Sequence, residues 1–374
     1  NDDWELRDPH SGEVKKVISA RTLWVKLLQN RMESGEPYLM FEDAVQADLP
    51  EFQRRKGLKV NHSNLCSEIT LATNEERTAV CCLSSVNLEY YDDWKNHPAF
   101  IPDLVRFLDN VLTYFIANAP TELERARYSA ERERSIGLGA MGFHAYLQKA
   151  GIAFEGAMAT AANLEIFKHI KSQAQTETER LAVEKGACPD DDSCSVRNAH
   201  LLAIAPNASS SIICGNTSPS IEPYRANAFT QKTKSGSYLM KNKFLEEVLE
   251  KYNQNTDATW TSIITNKGSC QHLDFLTDEE REVFKTAVEI NQAWVVEHAS
   301  MRQQYICQSQ SVNLFFPPDV NKADLHNIHM LAWAKNMKTL YYLRSEAISR
   351  ADNVSNKVKR EIIFEQSDCL NCEG

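Results

Sequence analysis

Apolar positions recur along this chain mostly at helical spacing. Residues 21–32 carry Leu23, Val25, Leu27 and Leu28 in a stripe closed by Gly35 and Pro37, which predicts a helix with a defined stop. Pro102 opens a second helix at its tolerated first position, with Leu104, Phe107, Leu108, Val111, Leu112 and Phe115 on one side. The same periodicity predicts helices over 157–186, 239–252, 278–305 and 323–337. Short apolar runs between them read as strands at 135–138, 201–205, 212–214, 311–316 and 339–343. Strands alternating with helices predict an α/β architecture with mainly parallel pairing. After Arg344 the pattern dissolves into a polar stretch, broken only by Ile362-Ile363-Phe364, and 345–374 reads as a flexible tail.

Composition narrows the picture. With 374 residues, 43% apolar and 25% charged, the chain has material for one large domain or two ordinary ones, and disorder throughout is excluded. A net charge of −10 argues against direct nucleic-acid binding, which needs surplus Lys and Arg to displace counterions. Any anionic ligand must be held locally. The chain lacks an apolar run of about 18 residues and a signal-like start, so no membrane association is expected. Ten cysteines fall well below the density of a disulfide scaffold, which favours a reducing, cytoplasmic setting.

The candidate chemistry is concentrated in a few segments. In Ser63-Asn64-Leu65-Cys66-Ser67-Glu68-Ile69, an extended backbone places Asn64, Cys66 and Glu68 on one face. The carboxylate can move a proton, the amide can orient a substrate hydroxyl, and the thiol can act by nucleophilic or hydrogen-atom chemistry. The bland alternative is a small buried cysteine. A second thiol pair, Cys81-Cys82, follows in an apolar run. The turn Pro206-Asn207-Ala208-Ser209-Ser210-Ser211 offers backbone N–H groups that can cradle a phosphate without net positive charge, although Ser-rich turns are also ordinary caps. Cys369-x-x-Cys372 on the tail is a dithiol able to reach a distant disulfide, a terminal metal clip, or a pair without function. Tyr341-Tyr342 ends an apolar strand, where aromatic pairs usually pack.

Two motifs are set aside. Gly137-x-Gly139-x-x-Gly142 matches a dinucleotide fingerprint, but Arg132-Glu133-Arg134-Ser135 before it is no buried strand, so close packing is the better reading. His326-x-x-His329 and Cys188…Cys194 lack the paired spacing of a zinc module, and no metal ligand is assigned.

Taken together with Ala79-Val80-Cys81, Ile221-Glu222-Pro223 and Thr339-Leu340-Tyr341-Tyr342, these segments resemble the large, catalytic subunit of aerobic class I ribonucleotide reductases. The resemblance implies the C-terminal half of a ten-stranded α/β barrel, with a central finger loop bearing a radical cysteine and a flexible redox tail. It divides the chain into a helical lead-in over 1–60, a catalytic half-barrel over 61–344 and the tail over 345–374. It also implies reduction of ribonucleoside diphosphates to 2′-deoxyribonucleotides. Carried over, Cys66 becomes a thiyl radical that takes the 3′-hydrogen, Glu68 accepts the 3′-hydroxyl proton and Asn64 holds a ribose hydroxyl. Leu65 and Ser67 line the substrate, and Pro206, Asn207, Ala208, Ser209 and Ser210 bind the diphosphate. Cys81 is one of two reducing thiols, while Cys82 has no assigned role. Tyr341 and Tyr342 relay the radical from a small partner subunit with a dinuclear iron and tyrosyl radical site, so no cofactor is expected on this chain. Cys369 and Cys372 re-reduce the spent disulfide and are recharged by thioredoxin or glutaredoxin.

The family's subunit is about twice as long, and its second reducing cysteine has no match here. The expectation is therefore a trimmed or naturally split chain that works only with an N-terminal half and the small subunit. Two other readings stay open: a noncatalytic remnant kept for assembly, and a stand-alone thiol–disulfide oxidoreductase using Cys369 and Cys372.

Overall fold

The computed structural model of the chain describes residues 2–233 and 236–345. In chain order the first strands are β1 (Asp3–Arg7), β2 (Val14–Ser19), β3 (Leu39–Met40), β4 (Leu83–Asn87) and β5 (Gly137–Met141). They are followed by β6 (Ala228–Thr233), β7 (Gly236–Lys241), β8 (Leu314–Phe316), β9 (Thr339–Leu340) and β10 (Leu343–Ser345).

Parallel pairing, expected to be the main kind, accounts for two of the five strand ladders among the described residues, while β1–β2, β3–β9 and β6–β7 pair antiparallel. β4 runs parallel to β5, and β10 runs parallel to β8. The predicted strand at 201–205 supplies only isolated parallel bridges, Leu138 to Leu202 and Ile204 to Gln310. Those bridges nevertheless join the pairs into one wall, since Leu138 N–H donates to Leu201 O at 2.8 Å and Ile204 N–H donates to Ser309 O at 3.0 Å. Leu138, Ala140, Leu201, Leu202, Ile204 and Leu314 are buried in this wall, as the near-continuous apolar runs of a covered parallel sheet require.

Helices cover its outer face. Helix Ala157–Lys185 turns Ile166, Phe167, Ile170, Ala174 and Leu181 inward at helical spacing and packs against helix Phe100–Asn118 through Val105, Leu108 and Leu112. Burying each such side chain contributes about 1.5–3 kcal/mol. Helix Ala20–Ser34 starts where the Ser19 hydroxyl accepts from Thr22 N–H and stops at Gly35, in the left-handed region at φ 85°.

Several boundaries differ from the periodic reading. Pro102 is the third residue of its helix, not the first. The run 278–305 breaks into Asp278–Val283 and Gln292–Gln303 because the Asn291 side chain caps Ala293 N–H at 2.9 Å and restarts the helix. Residues 239–241 belong to the β6–β7 hairpin, and helix Lys243–Lys251 begins only after the Asn242 cap. The expected strand at 212–214 lies largely in helix Ala208–Ile213. The expected strand at 339–343 is split, because β9 pairs antiparallel with β3 while β10 pairs parallel with β8. Tyr341 and Tyr342 fall between the two pairings.

Gly137 and Gly139 lie within β5 rather than in a turn leading to a nucleotide. A Cβ at Gly139 would stand 2.5 Å from Ala203 O, so this glycine lets neighbouring backbone come close. Among the described residues, no helix is long and apolar enough to cross a membrane.

Candidate active site

Asn64, Cys66 and Glu68 do come together, but not by strand alternation. Ser67 N–H donates to Asn64 O at 3.1 Å, and Ser67 adopts φ 70°, so the segment is a tight turn. Asn64 fastens it: its Oδ1 accepts from Ile69 N–H at 3.0 Å, and its side chain draws the neighbouring Glu68 carboxyl down. Leu65 stands at the tip, 60% exposed, while the side chains of Ser67, Glu68 and Ile69 are buried. Below the turn, Ile69 and Leu71 pack against Ala203 in the parallel wall.

The wall also holds the turn by polar contacts. Ser309 N–H donates to Glu68 O at 2.8 Å, and the Ser311 hydroxyl donates to both Cys66 O and Glu68 Oε2. Burial pushes the Glu68 carboxyl above its ordinary range, while the Asn64 side chain and the hydrogen bond from Ser311 pull it back. The result is a carboxylate more basic than one in water, as a proton acceptor requires.

Cys81 faces the same turn. Its thiol is pushed up to about 12, first by desolvation and then by the neighbouring Glu68, Cys82 and Cys66. It is therefore a thiol at neutral pH, suited to giving up hydrogen rather than attacking as a thiolate. Cys82 turns the other way, is buried, and contacts Leu108 O at 3.6 Å.

On the other side of Cys66 stands Tyr341, whose phenol is pushed above its ordinary range first by burial and then by the neighbouring thiol. Tyr341 and Tyr342 are packed with ring centroids 4.4 Å apart. Tyr38, on the loop before β3, completes a triangle at 4.6 Å from Tyr341 and 4.9 Å from Tyr342. One buried guanidinium ties these segments: Arg31 donates to Tyr341 O at 3.0 Å and to Pro37 O. Arg344 lies over the Tyr342 ring, its guanidinium carbon 3.9 Å from the centroid.

The turn at Pro206–Ser210 leads into helix Ala208–Ile213. Asn207 occupies the cap position without capping, and its buried Oδ1 finds no partner among the described residues. The first N–H groups of the helix are thus left for an outside acceptor. Ser209 and Ser210 are exposed. A cavity of about 540 Å³ adjoins this helix and reaches Arg225, Tyr342 and Arg344. It is lined by neither Cys66 nor Glu68. Glu222, buried beside it, accepts from Asn313 Nδ2 at 2.5 Å; burial raises its carboxyl, against the pull of Arg225 and Arg344.

Sequence reasoning missed Tyr38, Ser309 and Ser311. The alternating polar run Gln308-Ser309-Gln310-Ser311 was the available signal, since all four are buried. It also passed over Cys307, where burial is outweighed by Lys171, His200 and the Leu201 N–H, which bring the thiol down to about 5. His329 is buried and accepts from Arg31 Nε at 3.0 Å. Cys369 and Cys372 lie outside the described residues. Among the described residues there is no group of three His, Cys, Asp or Glu side chains able to hold a metal ion.

Comparison with known proteins gives a consistent result. The family model for the ribonucleotide reductase barrel domain matches residues 4–192 and 192–343. The ribonucleoside-diphosphate reductase large subunit of Invertebrate iridescent virus 3 is 47% identical over 99% of this chain, which covers 59% of that protein. The large subunit from Caenorhabditis elegans is 30% identical over 97% of the chain, covering 51% of its own length. The class Id ribonucleotide reductase alpha subunit of Actinobacillus ureae superposes with a TM-score of 0.82 at 41% identity, over 87% of this chain and 61% of that one. The chain thus spans about half to three fifths of the length of these relatives. Its parallel wall and its sequence place it in one family: the chain belongs to the large subunits of class I ribonucleotide reductases and carries sequence of their barrel domain.

Proposed function

We propose that this chain supplies the radical-bearing part of a ribonucleoside-diphosphate reductase, which forms 2′-deoxyribonucleoside diphosphates for DNA synthesis. The observation that carries this reading is the position of Cys66, beside Tyr341 on one side and sharing a turn with Asn64 and Glu68 on the other. A thiol placed so can receive an oxidising equivalent from the tyrosines and spend it on a substrate held by the turn.

Cys66 loses its hydrogen atom to the tyrosyl relay, and the resulting thiyl radical takes the 3′-hydrogen. Glu68, made more basic by burial, takes the 3′-hydroxyl proton while Asn64 steadies a ribose hydroxyl. Leu65 and Ser67 flank the ribose. Cys81, a thiol at neutral pH, and the second reducing cysteine, supplied by the N-terminal half, give their two hydrogens as the 2′-hydroxyl leaves as water and close into a disulfide, after which Cys66 returns the 3′-hydrogen. The open N–H groups after Asn207 accept the diphosphate, with Pro206, Ala208, Ser209 and Ser210 shaping the turn.

Tyr342 receives the oxidising equivalent from a small subunit, whose dinuclear iron and tyrosyl radical supply it. Cys369 and Cys372 return electrons from thioredoxin or glutaredoxin in a cytoplasmic setting. In this reading 1–60 is the lead-in, 61–344 the catalytic half-barrel and 345–374 the redox tail, and an N-terminal half of the subunit completes the barrel.

The test mixes this chain with that half and the small subunit and measures deoxynucleotide formation. Turnover is expected with the unaltered chain and none with Cys66→Ser. A complex that forms without turnover favours the assembly remnant; full turnover by Cys66→Ser ends the assignment. Disulfide reduction by the chain alone would instead favour the thiol–disulfide oxidoreductase.

A further inference from the structure

Oxidising a phenol makes its hydroxyl strongly acidic, so an electron leaves a tyrosine readily only where the proton has somewhere to go. At Tyr342 the need is sharpened by Arg344, whose guanidinium carbon lies 3.9 Å from the ring centroid and disfavours any positive charge on the ring. Tyr341 does not offer the outlet, because it lies buried beside Cys66, away from bulk water. The Tyr342 ring instead stands edge-on to the Tyr38 ring, centroids 4.9 Å apart, and Tyr38 Oη donates to Glu36 Oε1 at 3.2 Å. Glu36 is exposed, so its carboxylate exchanges protons with bulk water.

Resting on the relay reading above, we propose that Tyr38 and Glu36 form the proton outlet of Tyr342. The electron passes from Tyr342 to the oxidant held by the small subunit. The Tyr342 phenolic proton moves to Tyr38 Oη as the Tyr38 proton moves to the Glu36 carboxylate. When an electron returns to Tyr342 from Tyr341, the two protons shift back. Only O–H bonds break and form, and Tyr38 remains neutral at each end of the step.

The fold holds this route in place. β3 pairs with β9, Leu39 against Leu340 and Met40 against Thr339, which sets the Tyr38 loop beside the two tyrosines. Arg31 fastens both sides by donating to Pro37 O and Tyr341 O. Tyr38 is a positioning and proton-carrying residue, since it meets neither substrate nor Cys66 in this arrangement.

The test uses the active assembly with Tyr342→3-aminotyrosine, so that electron paramagnetic resonance reads radical formation at position 342. Tyr38→Phe, which keeps the ring, should slow that step on the order of 10²-fold and remove its solvent deuterium isotope effect. Glu36→Gln should slow it about tenfold, with Glu36→Asp restoring the rate. An unchanged rate and isotope effect in both Tyr38→Phe and Glu36→Gln would overturn the outlet and leave the relay standing. Failure to detect a radical at 342 in an otherwise unaltered chain that still reduces substrate would overturn the relay, and the outlet with it.

Discussion

The Ser311 hydroxyl donates to Glu68 Oε2 at 3.2 Å and also to the backbone carbonyl of Cys66, so one side chain of the parallel wall holds both the proposed base and the proposed radical cysteine. Removing it should affect chemistry before it affects folding. The Glu68 carboxyl is already raised by burial, and the Ser311 hydrogen bond lowers it. In Ser311→Ala the carboxyl therefore rises further, and the acid limb of the rate profile should move to higher pH. Loss of a hydrogen bond to a charged group corresponds to roughly tenfold in rate at neutral pH. A pH profile of kcat/KM in the reconstituted assembly checks this.

Cys81 and Cys82 should separate cleanly. Under its proposed role, Cys81→Ser removes a reducing thiol without opening the core, so substrate reduction is lost while denaturant stability is retained. Cys82→Ala leaves turnover measurable and lowers stability by about 1 kcal/mol, because its sulfur is packed in the main core. Urea unfolding and product assays on both variants distinguish the two outcomes.

The same thiol gives a chemical test. With Cys81 pushed up to about 12, its thiolate fraction at pH 8 is about one part in 10⁴. Iodoacetamide should therefore label the exposed Cys194 and Cys214 well before Cys81, although Cys81 is also exposed. Mass spectrometry of a time course reads the order.

The turn and the wall were legible to different degrees. Asn64, Cys66 and Glu68 are near in sequence, so their chemistry could be read directly, but the reason for their convergence could not. The left-handed Ser67 makes a turn where alternation predicted a strand. Tyr38 was not legible because nothing local marks it, and the polar run that marks Ser311 does not show that it meets Glu68, 243 residues away, through strand order. The β1–β2 hairpin was missed because nearly all its residues are exposed and its alternation buries no face. The helix at Ala208–Ile213 was mistaken for a strand because Ile212, Ile213 and Cys214 form an apolar run too short to show a period.

Stability at low pH should depend on Asp190. Its side chain is fully buried, and Arg77 grips it with bonds of 2.6 and 2.8 Å while Arg132 adds a third at 3.0 Å. Burial raises the carboxyl, but the two arginines outweigh it and hold it below its ordinary range. A depressed carboxyl stabilises the fold above its unfolded value, near 3.9, and this contribution disappears as pH falls through the folded value. Asp190→Asn should cost about 3–5 kcal/mol at neutral pH and flatten the acid limb of the stability curve. Thermal unfolding between pH 2 and 7 measures both.

Gly139→Ala tests the reading of the glycine motif. Its Cβ would meet Ala203 O at 2.5 Å and Ser85 Oγ at 3.1 Å, between two neighbours of the parallel wall. A loss of about 1–3 kcal/mol in urea unfolding is expected.

The split between β9 and β10 has one more consequence. Tyr341 N–H donates to Val312 O at 2.8 Å, Tyr342 N–H donates to Asn313 Oδ1 at 3.1 Å, and Tyr342 O accepts from Leu314 N–H at 3.0 Å. Electron tunnelling weakens exponentially with distance, so a pair of rings on a wandering loop would conduct in bursts. Here the backbone of each ring is clamped to the same stretch of wall. In the proposed relay, that stretch acts as a rigid mount, keeping the electronic coupling between the two rings steady while the surrounding assembly moves.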